Sequence, residues 1–258
     1  MDKVKFYAAL RARDSGVFGN RLSQSQVDGI EGILRAFQEV GDGKADTLAY
    51  ALATAYHEVG GRMVPVREGF AKTDAGARRA VQKLAKKRGP NSAVAKYSKP
   101  TGPYNHVYYG RGLVQLTWID NYRDSSPDAG TDLVKNPDAM LDPRTSARVL
   151  FKGLMDGRWN GRGKGLRYYL DRGDLKGARR TVNVTDKWQT IAGYHRAFLA
   201  AIEAAGGVSR KRPDPVPPIM PEPAPPKDYP IDTSPAPKPK SGWAALFAAI
   251  LKLFGRKT

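Results

Sequence analysis

Apolar residues recur with a helical period along most of the first two hundred positions. Between Ser23 and Val40 they fall at Val27, Ile30, Ile33, Leu34, Phe37 and Val40, the stripe of an amphipathic helix. Ser23 and Gln26 have the spacing of a capping box. A second helix is predicted to start at Asp46 or Thr47, either an acceptable cap. Leu48, Leu52 and Ala55 lie on one side of it, and Gly60-Gly61 stop it. Ala75 to Arg88 predicts a third helix, with a basic surface made by Arg78, Arg79, Lys83, Lys86, Lys87 and Arg88. A polar loop holding Pro90, Pro100, Gly102 and Pro103 comes next.

The pattern then changes. Val107 to Tyr122 is rich in β-branched and aromatic residues, which predicts a short strand or hairpin, with Gly110 and Gly112 permitting close backbone approach. Asp142-Pro143 opens another helix, with proline in its favoured first position and Ala147, Leu150, Phe151 and Leu154 on the inner stripe. Gly157 to Gly165 reads as a surface loop. Leu175 to Asn183 is predicted helical. Asp186 to Ala205 is a strong helix, with Trp188, Ile191, His195, Phe198, Leu199 and Ile202 in register and Gly206-Gly207 at its end.

From Pro213 to Lys240 proline dominates, and such a segment reads as a stiff extended linker. Beyond it Trp243, Leu246, Phe247, Ile250, Leu251 and Phe254 form an apolar stripe flanked by Lys252, Arg256 and Lys257. The stretch from Trp243 to Phe254 reaches only about 18 Å as a helix, short of a ~30 Å hydrocarbon core. It is expected to lie in a membrane interface, or to dock on the protein's own core or on a partner. The expected domains are a folded unit at 1–207, a linker at 208–241 and a cationic amphipathic helix at 242–258.

Composition narrows the chemistry. The chain has 258 residues, 41% of them hydrophobic, which suffices for one domain with a core. It has no cysteine, which excludes a disulfide framework, a cysteine nucleophile and a zinc ribbon. The net charge of +18 points to a polyanionic partner: nucleic acid, an anionic membrane or a bacterial wall. No recognised nucleic-acid motif is present, and nucleic acid is not expected as a partner. The first twenty residues lack the apolar core of a signal peptide. The expectation is a monomer made in the cytoplasm without a standard export signal.

Glu58 stands where a mainly apolar helix ends, and Glu68 follows one loop later. Two acids so placed are the minimum for acid-assisted cleavage of a glycosidic bond. Each also has a plainer reading: Glu58 as a surface glutamate at a helix terminus, Glu68 as a loop ion pair with Arg67 or Arg62. His57-Glu58 begins the zinc pattern H-E-x-x-H, but Gly61 occupies the second ligand position. His106 and His195 have no ligand-like spacing, so no metal or other cofactor is expected. His57 reads as a packed or hydrogen-bonded neighbour of Glu58, and His195 as a satisfied core residue. The Gly157–Gly165 loop lacks the phosphate-cradle pattern, and Ser125-Ser126 lack the nucleophile elbow.

Three strings, AYHEVGGRM, VYYGRGLVQLTWIDNY and TVNVTDKWQTIAGYHRAF, together resemble glycoside hydrolase family 19, and within it the phage and prophage endolysins. The resemblance covers roughly residues 15 to 205. It implies a mainly α-helical, lysozyme-like domain with a small β-hairpin lining the cleft. It implies Glu58 as general acid, Glu68 as the base that activates water, and Thr117 as the residue that holds the water. Gln115, Asn121, Tyr108 and Asn183 would line the sugar cleft, with His57 beside them, while Arg111 and Gly112 would be structural. The chain departs from the family's chitinases at Val184, where glycine is usual after the cleft asparagine. It departs again at Ile191-Ala192, where an arginine is usual. These differences suit the endolysin branch. The implied activity is inverting hydrolysis of β-1,4 bonds in peptidoglycan glycan strands. The basic surface would hold the anionic wall, and Trp243–Phe254 would meet an anionic membrane or outer-membrane lipid. The alternatives are a chitinase acting on chitin oligomers and a non-catalytic protein that disrupts membrane or wall.

Overall fold

The computed structural model describes residues 1–160 and 163–208. The predicted linker and C-terminal helix therefore lie outside the described residues, apart from the linker's first position, Val208. What is described is mainly helical, with one two-stranded antiparallel sheet.

At its centre is α3, Ala45–Glu58. Every residue from Thr47 to Ala55 is buried, so the helix is enclosed on all sides and not on the single face expected from Leu48, Leu52 and Ala55. Its alternating alanines explain the difference. A run of small apolar side chains presents no polar face, and such a helix belongs inside. α10, Trp188–Ala204, packs along α3. α1, Lys3–Leu10, packs on α10 and is fastened by Asp2 N–H donating to Ala205 O at 2.8 Å. On the other side lie α2, Gln24–Val40, and α7, Pro143–Asp156. The capping box of α2 is complete, with Ser23 and Gln26 satisfying each other's backbone, a device that contributes about 1 kcal/mol. Asp142 caps α7, with Pro143 in the first turn.

A smaller lobe has its own core. α4, Asp74–Arg88, and α5, Ala93–Tyr97, enclose Ala77, Val81, Leu84, Val94 and Tyr97 together with Val107 and Tyr109. Part of the segment read as a polar loop is thus helical. Ser92 caps α5, and Val94 and Tyr97, three apart, turn inward.

The stretch read as a short strand or hairpin contains one short strand. β2, Arg111–Gly112, pairs with β1, Val66–Arg67, in the register Val66↔Gly112 and Arg67↔Arg111. Residues from Ile119 to Ala129 form α6. Within the stretch Arg111 and Leu116 exchange both backbone hydrogen bonds in an antiparallel bridge, and the positive φ of Gln115 and Trp118, 50° and 75°, keeps the extended run short. Asp46 and Thr47 do not cap α3; Lys44 holds that position and Asp46 sits in the first turn. The region from Leu175 splits into α9, Leu175–Ala178, and a tighter turn, Arg179–Thr181. A further short helix, α8, spans Leu166–Leu170.

Candidate active site

Both expected carboxylates are buried. Glu58 is 4% exposed and Glu68 2%, so neither is the surface residue or loop ion pair of the plainer readings. Burial of a carboxylate demands partners, and the two have different ones.

Glu58 closes the last turn of α3. Its Oε1 accepts from the Arg179 guanidinium at 2.8 Å, and Arg179 is itself 2% exposed. The turn that carries Arg179 is held by Thr181, whose hydroxyl donates to Ala178 O, and by Arg179 Nε donating to Asp186 O at 3.2 Å. Asn183 N–H donates to Arg179 O at 2.9 Å, so Asn183 and Arg179 belong to one turn. His57 is half-buried, with its ring 6.4 Å from that of Tyr194. Burial pushes its imidazole below the usual range, partly offset by the charge of Glu58. One oxygen of Glu58 is therefore held by a buried cation. Tyr50 lies two turns earlier on α3. Its hydroxyl is buried without a hydrogen-bond partner, and burial raises its pKa further than the opposing charge of Arg179 lowers it.

Glu68 sits just past β1. Its N–H donates to Gly110 O at 2.7 Å, continuing the β1–β2 ladder, and its Oε2 accepts from Gly110 N–H at 2.8 Å. Oε1 accepts from the Tyr97 hydroxyl at 2.7 Å. No cation forms an ion pair with it among the described residues. Arg67 pairs with Asp138 at 2.6 Å, and Arg62 stacks on Phe70 at 3.8 Å. Burial raises the Glu68 pKa, against the lowering by Tyr97, Gly110 and the charge of Arg111. Gly110 is required here by close approach. A Cβ would stand 2.8 Å from Gln115 Oε1 and 3.3 Å from Glu68 Oε2.

Around Gly110 the implied cleft residues are linked in sequence. Gln115 Nε2 donates to Val66 O at 3.0 Å and Gly112 O at 2.9 Å, bridging the two strands. The Thr117 hydroxyl donates to Gln115 O at 2.8 Å, and Asn121 Nδ2 donates to Thr117 O at 2.9 Å. Tyr108 is placed differently. It is 1% exposed, its hydroxyl donates to Val134 O at 2.9 Å, and its ring packs on Tyr122. Arg111 is a buried hub. It bonds Asp138 at 2.7 Å, Asp74 at 3.3 Å and the Tyr122 hydroxyl at 3.1 Å, and lies over the Tyr109 ring. It joins β2 to the start of α4 and to the turn Pro137–Leu141.

Backbone conformation marks the same region. Gly60, Gly61, Met63, Gly69 and Phe70 all have positive φ, as do Gly112, Gln115 and Trp118. Met63, Phe70, Gln115 and Trp118 carry side chains that make this conformation costly, and such strain gathers at functional sites.

Arg179 and Tyr97 were missed in the sequence. A buried arginine in a short irregular turn has no periodic signature, and Tyr97 sat in a stretch read as loop. A buried carboxylate needs donors, but nothing local in the sequence marks which residue supplies them. The described residues contain no group of three or more His, Cys, Asp or Glu able to hold a metal, and no helix among them is long and apolar enough to cross a membrane.

No family model matches this chain, and no curated protein matches it. Among solved structures it is similar to chitinase C from Streptomyces griseus, with 20% identity over 80% of this chain and 77% of that one, at a TM-score of 0.47. A point mutant of chitinase C gives 17% identity over 81% of this chain and 93% of that one, at a TM-score of 0.43.

Proposed function

We propose that this chain is a lysozyme-like glycoside hydrolase of the endolysin type, cutting β-1,4 bonds of bacterial peptidoglycan with inversion. The observation that carries the reading is the pair of buried carboxylates, Glu58 and Glu68, at the two ends of one strained connection and held by different partners.

In this reading Glu58 is the general acid. Arg179 occupies Oε1, leaving Oε2 to carry the proton to the leaving oxygen. Glu68 is the general base. Its raised pKa makes it a stronger acceptor for a proton of the attacking water. The Thr117 hydroxyl has already given its proton to Gln115 O, so toward a water it can only accept, which orients the water's remaining proton. An inverting site needs room for that water, about 6.5–9.5 Å between the carboxyl groups. Gln115, Asn121 and Asn183 contact the sugars, with His57 and Tyr108 behind them. The proline-rich segment and Trp243–Phe254 act as a spacer and a contact for anionic membrane or outer-membrane lipid, bringing the enzyme to the wall after release from the cytoplasm.

The test uses Glu58→Gln on purified peptidoglycan, with chitin oligomers assayed alongside. Loss of wall cleavage in a variant with unchanged thermal unfolding is the expected result. Full activity in that variant removes Glu58 from the chemistry, and cleavage of chitin alone replaces the wall by chitin as substrate.

A further inference from the structure

The α4–α5 lobe carries an uncompensated charge. Between Asp74 and Asp120 the chain has no acidic residue, yet it has nine lysines and arginines. Arg111 is buried among its partners and Arg78 pairs with Asp74 at 2.7 Å. Arg79, Lys83, Lys86 and Lys87 are exposed and form no salt bridge among the described residues. Arg79, Lys83 and Lys87 are four residues apart, a line of cations spaced about 6 Å along one side of the helix. Like charges at this spacing repel, and nothing on the lobe's own surface offsets them.

The lobe is also tied to the proposed base. Tyr97 at the end of α5 donates to Glu68, and Asp74 at the start of α4 binds both Arg111 and Tyr109. Whatever settles on α4 is therefore held in fixed relation to the carboxylate that would activate water.

We propose that the outer face of α4 docks the carboxylates of the peptidoglycan stem peptides, and so selects the anionic wall over an uncharged β-1,4 glycan. The inference rests on the wall-hydrolase reading and gives it a specificity surface. Three of the four cations are lysines. Their compact, hydrated charges on flexible stems suit scattered, mobile carboxylates better than the fixed bidentate recognition that favours arginine.

The test compares the full chain with a variant carrying Arg79→Gln, Lys83→Gln, Lys86→Gln and Lys87→Gln, each also in a Glu58→Gln background. Co-sedimentation with intact peptidoglycan and with peptidoglycan whose carboxylates have been amidated gives binding without catalysis. The variant is expected to bind intact wall about tenfold more weakly at low salt, four exposed charge contacts being removed. On amidated wall the two proteins are expected to bind alike, and thermal unfolding is expected to be unchanged. Equal binding to intact wall overturns the proposal, as does a difference that persists on amidated wall, which would assign the face to phosphate polymers or nucleic acid. Failure of the unsubstituted chain to cut peptidoglycan would instead remove the reading beneath it.

Discussion

The two buried carboxylates, Glu58 and Glu68, solve one problem in opposite ways. Glu58 ends the most enclosed helix of the main core and is neutralised by a buried cation, Arg179. Glu68 lies against the small α4–α5 core and is held by two neutral donors, the Tyr97 hydroxyl and the Gly110 N–H. A buried carboxylate with a cation is held as half of an ion pair, and removing the other half is severe. A buried carboxylate with neutral donors has its pKa raised by desolvation, and each donor tunes it. The difference separates a residue whose placement depends on charge from one whose basicity depends on hydrogen bonds.

The largest expected effect falls on catalysis. Glu58→Gln should lower cleavage of purified wall by about 10²–10⁴-fold, the usual contribution of general acid catalysis, measured as reducing ends released. Next is Arg179→Met, which leaves the Glu58 charge buried and uncompensated. A loss of about 3–5 kcal/mol in urea unfolding is expected, whereas Arg179→Lys should retain part of it. If Arg179→Met is as stable as the parent, the contrast between the two carboxylates fails.

On the Glu68 side the effect is smaller and of a different kind. Tyr97→Phe removes a donor to Oε1 and should cost about 1–3 kcal/mol. Because that donor lowers the Glu68 pKa, its loss raises it, and the acid limb of the pH–rate profile should move to higher pH. A limb that stays in place would separate Glu68 from the base role.

The smallest effect concerns pH and stability. His195 on α10 is buried, its ring 5.7 Å from that of Tyr50. Burial depresses its pKa, with Asp46 opposing and Arg196 reinforcing. A depressed imidazole binds fewer protons folded than unfolded. Its contribution is therefore present above the ordinary imidazole range and is lost as pH falls through the depressed value. His57 has the same sign. His195→Gln should make the fall in melting temperature on acidification shallower without abolishing it.

Much of this architecture was legible because it is written in periodic apolar residues and caps. The Ser23–Gln26 box, Asp142-Pro143 and the stripe of α10 all appear at the expected places. The irregular segments were not legible, because tertiary contacts decide them. Gln115 and Trp118 hold positive φ through bonds to distant carbonyls, Val66 O for the Gln115 side chain and Tyr108 O for the Trp118 N–H. They leave the strand of this stretch only two residues long. The carboxylates could be singled out because helix, glycines and acids are local in sequence. Arg179, 121 positions from Glu58, and Tyr97, 29 from Glu68, could not, since nothing local marks a partner brought in by folding.

The account's central claim is direct attack by water on the face opposite the departing sugar, with one carboxylate on each side. Proton NMR of a wall-derived glycan oligomer, recorded in the first minutes of cleavage, reads the configuration of the new reducing end before it equilibrates. The α anomer appearing first is the predicted result. The β anomer first, or an intact glycan in the presence of the folded protein, would contradict it.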